Sequence, residues 1–438
     1  MSKKDFAVEL NPNVVNLKES ATLAINLTAR GMRAAGKTVA HFGFGQSPFP
    51  VHPKIQIALA NNAHQKDYLP TRGLPALCDA IACYYKQFFD YDLNKDLVLV
   101  GPGSKEMIFQ ALYILEGPVL VPAPSWVSYG PQINLRGKQI EAIVTKRENS
   151  YKLQASELEE TCSKLGVGQK ILILNNPSNP TGAVYTDQEV KELSEVARKN
   201  KVIVISDEIY SLINFSGRDY VGFPKYYPEG TILTSGLSKS HAAGGYRLGF
   251  LALPEGMESV CKGLSAMISE TFSAVSAPIQ YAALEAYCGD YDLMSYVKQC
   301  TKIHKACGEY LHTRFVEMGL NCPKPEGAFY LFPDFQNYKE KLASRGIKGC
   351  KTLATELLDK AGVALLPGSD FYYPEKAMGC RVATVDYDGD WVYQKSLEPL
   401  HNPHVNQHPL DQKFVEEHCP NLKWGADQIQ AFLEALDE

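Results

Sequence analysis

The stretches 171-ILILNNPSNPTG-182 and 202-VIVISDEIY-210 are built alike, because in each an apolar run ends abruptly in polar residues, proline or glycine. Uninterrupted apolar runs are typical of strands buried on both faces, as in a parallel sheet. Helix-like segments lie between such runs, for example 187-DQEVKELSEVARKN-200 with Asp187 as its predicted N-cap. The same construction recurs in 97-LVLVGPGS-104, 118-PVLVPAPSW-126 and 231-TILTSGLSK-239. The alternation predicts an α/β fold with a mostly parallel sheet.

Unusual polar residues gather where these apolar runs end. Ligands of open parallel sheets bind outside the carboxyl ends of the strands. Lys239 follows one run, within 234-TSGLSKSHAAGGYRLGF-250, among glycine, serine and alanine residues. Most lysines are solvated, but an amine that attacks a carbonyl has to be unprotonated, which burial or a neighbouring cation favours. Lys239 is therefore a candidate Schiff-base lysine, and Arg247 lies eight residues later in the same stretch.

The chain length and a change of pattern beyond residue 310 predict two domains. The 438 residues exceed the roughly 250–300 residues at which a single core stops growing. The later segment 325-PEGAFYLFPDF-335 alternates and contains proline, as edge or antiparallel strands do. We predict a large domain over residues 56–309 and a smaller α+β domain formed by residues 1–55 and 310–438. Within the latter, residues 390–424 are predicted to be an irregular surface insertion before a terminal helix.

Composition and charge argue against several classes of function. The formal net charge is −5 without a dense Lys/Arg tract, so neither a nucleic-acid nor a membrane partner is predicted. No apolar run approaches the roughly 20 residues that span a bilayer, and the first residues lack the apolar core of a signal peptide. The 11 cysteines form no C-x-x-C pair, which predicts reduced thiols and a cytoplasmic protein. The histidines of residues 390–424 fit no zinc spacing, so no metal is predicted.

The segment 236-GLSKSHAAGGYRLG-249 resembles, position by position, the pyridoxal-phosphate attachment segment of class I/II aminotransferases. The resemblance to this family extends from about residue 40 to about residue 388. It implies a fold-type-I transferase with pyridoxal 5′-phosphate (PLP) as cofactor and a seven-stranded, mostly parallel sheet between helices in the large domain. It also implies that Lys239 attaches the cofactor and later moves a proton, while the guanidinium of Arg247 holds the cofactor phosphate.

Further matches to the family surround the cofactor ring. Asp207 matches the aspartate that pairs with the pyridine nitrogen, so that the ring acts as an electron sink. Tyr210 and Asn179 match residues that donate hydrogen bonds to the phenolic oxygen, although 175-NNPSNPTG-182 taken alone is equally typical of a turn. Trp126 matches the aromatic residue that stacks on the pyridine face, whereas most tryptophans are core residues.

Two more groups of residues match family residues that bind anions, namely the cofactor phosphate and the substrate carboxylate. Gly103, Ser104 and Lys105 match the family's phosphate-binding turn at the start of a helix, where backbone N–H groups favour negative charge. Arg381 matches the arginine that binds the substrate α-carboxylate, and Gly45 matches a glycine whose backbone approaches the same carboxylate. The resemblance therefore implies separate sites for the cofactor phosphate and for the substrate carboxylate.

The resemblance also has consequences for assembly and one departure near the lysine. Tyr68 matches a tyrosine that reaches the cofactor phosphate of the neighbouring subunit, which implies a homodimer with shared active sites. Many relatives have a serine where Gly236 stands, and that serine binds the phosphate. Ser235 and Ser238 are the candidates to replace it.

The predicted activity is transfer of an amino group from an L-amino acid to a 2-oxo acid such as 2-oxoglutarate, by ping-pong half-reactions. Aspartate or an aromatic amino acid is the favoured donor, and Arg72 is a candidate for binding a side-chain carboxylate. The first alternative is another reaction on the same scaffold, such as C–S β-elimination. A remote alternative is a non-enzymatic regulator with an aminotransferase-like domain.

Overall fold

The computed structural model describes residues 8–15, 17–401 and 410–437. Three sheets organise these residues, and the largest has seven strands. The strands of the chain are β1 (Ala40–His41), β2 (Val98–Gly101), β3 (Val119–Ala123), β4 (Ile140–Val144), β5 (Lys170–Asn175), β6 (Val202–Asp207), β7 (Thr231–Gly236), β8 (Gly249–Ala252), β9 (Tyr330–Leu331), β10 (Val363–Ala364), β11 (Leu366–Pro367) and β12 (Cys380–Ala383).

The seven-stranded sheet confirms the fold class predicted from the apolar runs. Its strand order is β2-β8-β7-β6-β5-β3-β4, and every pair is parallel except those made by β8. Strand β8 runs antiparallel to both β2 and β7. Strands β3, β5 and β7 are buried at every residue, which explains why their sequences are apolar without polar alternation.

Helices connect the strands and flank the sheet. They are α1 (Pro12–Val15), α2 (Ala21–Ala34), α3 (Pro53–Asn61), α4 (Pro75–Phe89), α5 (Ser104–Ile114), α6 (Tyr129–Leu135), α7 (Ala155–Leu165), α8 (Asp187–Lys199), α9 (Glu258–Ser269), α10 (Ala277–Tyr287), α11 (Tyr291–Glu317), α12 (Lys339–Ser344), α13 (Cys350–Ala361), α14 (Gly389–His401), α15 (Gln412–His418) and α16 (Pro420–Glu434). The predicted N-cap of α8 is wrong by one residue, because Thr186 and Glu189 form a capping box there. Asp187 instead accepts a hydrogen bond from the Lys225 amine.

Two small sheets lie outside the large one. Strands β11, β12 and β9 form an antiparallel sheet, and β1 pairs in parallel with β10. The β1–β10 pair joins residues near position 40 to residues near position 363, as expected if the chain start belongs with the later part of the sequence. Helix α11 runs through residue 309, so the predicted domain limit falls inside a helix. The domain limits stay a prediction.

The irregular insertion expected over residues 390–424 is wrong for the described residues, which are mainly helical. Helix α14 begins at Gly389, α15 follows, and α16 begins at Pro420, five residues before the predicted terminal helix. Local signals explain these helices: Asp411 caps α15 by accepting from the Phe414 N–H, and proline is favoured in a first helical turn. Residues 402–409, with His404 and His408, lie outside the described residues.

Two absences concern only the part of the chain that the structure describes. None of its helices is long and apolar enough to cross a membrane. No group of three or more His, Cys, Asp or Glu side chains is arranged there to hold a metal ion.

Candidate active site

A cavity of about 410 Å³ lies at the carboxyl ends of β5, β6 and β7. Ten of the twelve residues predicted to form the site line this cavity. They are Gly45, Ser104, Lys105, Trp126, Asn179, Asp207, Tyr210, Lys239, Arg247 and Arg381. The ends of neighbouring parallel strands therefore bring together residues that are far apart in sequence.

Lys239 extends from the loop after β7 into the cavity. Its Nζ donates a hydrogen bond to the Gly45 carbonyl at 2.7 Å and lies 5.8 Å from the ring centroids of Tyr210 and Phe329. Burial, helped by the positive charge of Arg381, lowers the pKa of Lys239 from 10.5 to about 8. A sizeable fraction of the amine is thus neutral near physiological pH, as attack on a carbonyl requires.

Asp207 ends β6 and is buried. Its Oδ2 accepts a hydrogen bond from the Tyr129 hydroxyl at 2.6 Å, and its Oδ1 accepts one from the Ile209 N–H at 3.4 Å. Burial raises the pKa of Asp207 to about 6, while both hydrogen bonds oppose that rise. A cationic ring nitrogen beside this carboxylate would favour its charged form still further.

Arg381 on β12 is a buried cation on the opposite wall. Its Nη1 donates to Oδ1 of Asn179 at 3.3 Å and its Nη2 to the Gly43 carbonyl at 2.5 Å, while the buried Nε has no partner within the described structure. The guanidinium carbon lies 4.8 Å from the ring centroid of Tyr330, and burial lowers the pKa of Arg381. A buried guanidinium held only by neutral groups favours an anionic ligand.

Tyr210 and Gly45 are both constrained by Tyr330, a residue that the sequence analysis did not single out. The hydroxyl groups of Tyr210 and Tyr330 are 2.8 Å apart and hydrogen-bonded. A side chain at position 45 would clash, because its Cβ would lie 1.9 Å from the Tyr330 hydroxyl oxygen. Glycine at this position thus lets the loop backbone approach the cavity.

The other end of the cavity is built around the start of α5. Gly103 precedes this helix with a φ of +91°, and a Cβ there would lie 2.4 Å from Nη2 of Arg247. Arg247 donates to the Pro102 carbonyl at 3.0 Å, which fixes its guanidinium beside the helix start. The Lys105 Nζ lies 5.2 Å from the Trp126 ring centroid, and burial with the nearby Arg247 charge lowers the pKa of Lys105. This end combines two cations with helix N–H groups, a suitable environment for a phosphate.

A steric clash explains why glycine and not serine stands at position 236. Gly236 pairs with Gly249 across the antiparallel β7–β8 ladder, and a Cβ at position 236 would lie 2.6 Å from the Leu248 carbonyl oxygen. Of the two candidate serines, Ser238 lines the cavity, whereas Ser235 donates its hydroxyl to the Glu208 carbonyl at 3.2 Å. Ser238 is thus the serine available to a ligand.

Three other sequence candidates lie apart from the cavity lining. Gly103 stands directly behind it, as described above. Tyr68 is 94% exposed and does not line the cavity, so its predicted role requires a second subunit and stays a prediction. Arg72 lines a different cavity, where its guanidinium donates to the Asp96 carbonyl and lies 3.8 Å from the Asp96 carboxylate.

Several residues in or next to the cavity lining were not predicted from the sequence. Tyr129 is buried outside the lining and packs edge-on against Trp126 at a centroid distance of 5.3 Å, and its position three residues after that tryptophan is the sequence feature that points to it. Tyr330 lies in the alternating segment assigned only to an antiparallel strand. Phe44 and the start of α2 at Ser20–Leu23 carried no signal, since the chain fold alone brings them to the cavity.

These residues fit pyridoxal phosphate. The amine of Lys239, with its lowered pKa, and the buried carboxylate of Asp207 line the same cavity as the indole ring of Trp126. Arg247 lies at one end of the cavity and Arg381 at the other. When bound, the cofactor supplies an electron sink for charge that develops at the substrate Cα. The fold and this cavity define a fold-type-I enzyme dependent on pyridoxal phosphate.

Comparison with known proteins identifies the family. The sequence matches the model of aminotransferase class I and II over residues 39–385. It is 32% identical to an aspartate aminotransferase of Bacillus subtilis (strain 168), with 94% of this chain and 100% of the relative covered. It is 31% identical to an asparagine–oxo-acid transaminase of Streptococcus mutans, with 84% and 93% covered. The chain belongs to the class I and II aminotransferases and is a pyridoxal-phosphate-dependent amino acid aminotransferase.

Solved structures agree on the fold. The aspartate aminotransferase of Thermus thermophilus with maleate has a TM-score of 0.81 at 22% identity and covers 97% of this chain and 100% of its own. The aspartate aminotransferase of Rhizobium meliloti has the same TM-score at 23% identity, with 98% and 99% covered. These similarities extend over nearly the whole chain and support the fold.

Proposed function

We propose that the protein transfers the amino group of L-aspartate to a 2-oxo acid such as 2-oxoglutarate in two ping-pong half-reactions. The observation that carries this proposal is the buried guanidinium of Arg381, which lies across the cavity from Lys239. Among the described residues it hydrogen-bonds to neutral groups and to no carboxylate. A substrate α-carboxylate held there would direct its Cα toward the lysine amine. Several relatives of 32–33% identity are named aspartate aminotransferases, which favours aspartate over an aromatic donor.

In this proposal the residues around the cofactor ring have distinct roles. Lys239 holds the cofactor and then moves a proton at the substrate Cα. Asp207 pairs with the pyridine nitrogen, and the stacked ring rests on Trp126. Tyr210 and Asn179 donate hydrogen bonds to the phenolic oxygen.

The phosphate of the cofactor has its own set of partners. We infer that Ser104, Ser238 and the guanidinium of Arg247 bind it at the start of α5. Gly103 permits this arrangement because it leaves space for Arg247. Gly45 serves the substrate instead, since its backbone approaches the α-carboxylate beside Arg381.

Lys105 has two candidate tasks. It follows Ser104 in the predicted phosphate-binding turn, but its amine lies above the Trp126 ring. Because Lys105 and Trp126 both line the cavity, the amine is also a candidate to bind the second carboxylate of a dicarboxylic substrate. We favour the second task, because Arg247 already provides a cation beside the helix start.

We further propose a homodimer that acts in the cytoplasm. The 94% exposed side chain of Tyr68 supports a role at a neighbouring subunit's phosphate, since an exposed tyrosine of this size is available for an interface. All 11 cysteines are unpaired, which favours a reducing compartment.

Titration of the purified holoenzyme with single L-amino acids, without an oxo acid, tests the proposed activity. Aspartate is expected to bleach the visible absorbance of the cofactor stoichiometrically, and 2-oxoglutarate is expected to restore it. Asparagine, tyrosine, alanine and cystathionine rank the donors, and Lys239→Ala is the control. Continuous release of ammonia and oxo acid with retained absorbance would instead show a lyase. No spectral response to any amino acid would refute the proposal.

A further inference from the structure

A polar cluster lies behind the cavity and consists of Asn26, Arg33, His41 and Asp386. Oδ2 of Asp386 accepts hydrogen bonds from Nη2 of Arg33 at 2.6 Å and from the backbone N–H of His41 at 2.7 Å. The ring Nε2 of His41 is 2.9 Å from Oδ1 of Asn26. None of the four residues lines the cavity. We call this group the Asp386 cluster.

The loop that leaves the Asp386 cluster contacts both principal cations of the cavity. It follows β1, and the carbonyl of Gly43 accepts a hydrogen bond from Arg381 at 2.5 Å. Two residues later the carbonyl of Gly45 accepts one from Lys239 at 2.7 Å. A displacement of residues 43–45 would therefore change the partners of the guanidinium and of the amine together.

The Asp386 cluster fixes where this loop begins. Arg33 donates to the Val39 carbonyl from Nε at 3.1 Å and from Nη2 at 2.6 Å, in addition to its ion pair with Asp386. Asn26 and Arg33 are seven residues apart, which places them on one face of α2, two turns from each other. The same helix brings Ser20–Leu23 to the cavity at its start.

Asp386 is the member that joins Arg33 on α2 to the backbone of His41 on β1. Its side chain is 10% exposed, so water is a poor replacement for it as an acceptor. It lies five residues after Arg381, at the end of the segment that continues β12. Burial lowers the pKa of His41 to about 4, so the ring is neutral at physiological pH and Arg33 is the cation that balances Asp386.

We propose that Asp386 is a positioning residue for the substrate α-carboxylate site. Its carboxylate ties the start of the Gly43–Gly45 loop to α2 and thereby sets the guanidinium of Arg381 for the carboxylate shared by every amino acid and 2-oxo acid. The inference rests on the proposed function of Arg381.

Steady-state kinetics of Asp386→Ala and Asp386→Asn, in the holoenzyme with several donors and acceptors, test the inference. The KM values of aspartate, of alanine and of 2-oxoglutarate are expected to rise together by about tenfold in Asp386→Ala, because one charge-assisted contact is lost. The cofactor affinity is expected to stay within about twofold of the wild type, and the fall in kcat that follows from the Gly45 contact with Lys239 is expected to be smaller than the rise in KM. Asp386→Asn keeps an acceptor for the His41 N–H and is expected to recover much of the loss.

Asp388→Ala is the matched control. Asp388 is exposed and lies two residues further on, and among the described residues its side chain accepts a hydrogen bond from the Trp391 N–H at the start of α14. Arg33→Met perturbs the Asp386 cluster from the other side and should raise the same KM values if Asp386→Ala does not fold. Unchanged KM values in folded variants, a loss confined to kcat, or an equal effect of Asp388→Ala would overturn the inference. A wild-type enzyme that fails to transaminate would refute the proposed function instead.

Discussion

The Tyr129 hydroxyl donates a 2.6 Å hydrogen bond to Oδ2 of Asp207, and both side chains are buried. The contact favours the charged carboxylate against the burial that raises its pKa to about 6. The same tyrosine packs edge-on against Trp126. One side chain thus supports the two residues proposed to hold the cofactor ring at its nitrogen and at its face.

Replacing Tyr129 by phenylalanine is expected to weaken catalysis without preventing folding. Loss of the hydrogen bond raises the pKa of Asp207, so the acidic limb of the kcat profile moves to higher pH. We expect kcat to fall by about tenfold or more, as is typical for a buried hydrogen bond to a charged group. A pH–rate profile measures both effects, with Tyr113→Phe on the exposed face of α5 as control. An unshifted profile would contradict the role of Tyr129.

Uptake of the cofactor by the cofactor-free enzyme is expected to depend on the protonation of Lys239. Because the pKa of its amine is lowered to about 8, half of the amine is neutral at that pH, and the neutral fraction levels off about one pH unit higher. The rate at which visible absorbance appears after mixing with pyridoxal phosphate should therefore increase steeply from pH 6 to pH 8 and by no more than about twofold above it. A rate that continues to rise toward pH 10 would show that the pKa of the Lys239 amine is not lowered.

Lys105→Met separates the two tasks considered for Lys105. If its amine binds the second carboxylate, the KM of aspartate rises by about tenfold or more while that of alanine stays constant. The cofactor affinity should then be retained, because Arg247 and the start of α5 remain. A weaker cofactor affinity with unchanged preference for aspartate would return Lys105 to the phosphate site. Kinetics with both donors and a cofactor-binding titration distinguish these outcomes.

Gly236→Ser is expected to destabilise the fold rather than to restore a phosphate ligand. The new Cβ would lie 2.6 Å from the Leu248 carbonyl oxygen and 2.8 Å from Cα of Gly249, and backbone atoms cannot move aside cheaply. We expect a loss of about 1–3 kcal/mol in the free energy of unfolding. Gly245→Ser is the control, because nothing lies within 4 Å of its added Cβ. Equal stability of both variants in denaturant titrations would contradict the steric explanation.

Glu208→Gln is expected to stabilise the protein at alkaline pH. Burial raises the pKa of Glu208 from 4.5 to about 8, although Ser206 donates a hydrogen bond to it. The folded state keeps a proton that the unfolded state releases, so this contribution is complete below about pH 4.5 and is lost as the pH rises to 8. The unfolding free energies of variant and wild type should therefore diverge, by roughly 4 kcal/mol at pH 8. A constant difference from pH 5 to pH 8 would refute a titrating Glu208.

The large sheet and the centre of the site could be predicted because both depend on short-range signals. Strands β5 and β6 end in residues that line the cavity, Asn175 and Asp207, and Lys239 follows β7 by three residues, so Asp207 and Lys239 could be located from their place at or just after an apolar run. Arg381 required the family resemblance, because its strand β12 is short and antiparallel. The steric reason for Gly236 appears only when the β7–β8 ladder is seen.

The remaining features depend on tertiary contacts that no local pattern reports. Tyr330 on β9 hydrogen-bonds to Tyr210 in the loop after β6, a contact between residues 120 positions apart. Helices α14 and α15 and the first turn of α16 differ from the prediction because residues 390–424 are rich in His, Asn, Pro and Gln, which is typical of irregular segments, although Asp411 is an N-cap and Pro420 starts a helix. The Asp386 cluster likewise joins α2 to a segment more than 350 residues away.

The cavity takes its walls from two separate sheets, and this division has a practical use. Asp207 ends a strand of the seven-stranded sheet and Lys239 lies in the loop after its strand β7, whereas Arg381 stands on the three-stranded sheet. Saturation mutagenesis aimed at new amino donors can therefore begin at the start of α2, which contacts the three-stranded sheet at β11 and lines the cavity with Thr22 and Leu23. Such libraries would leave the proposed cofactor partners unchanged, so variants could be screened by colour first and by substrate afterwards.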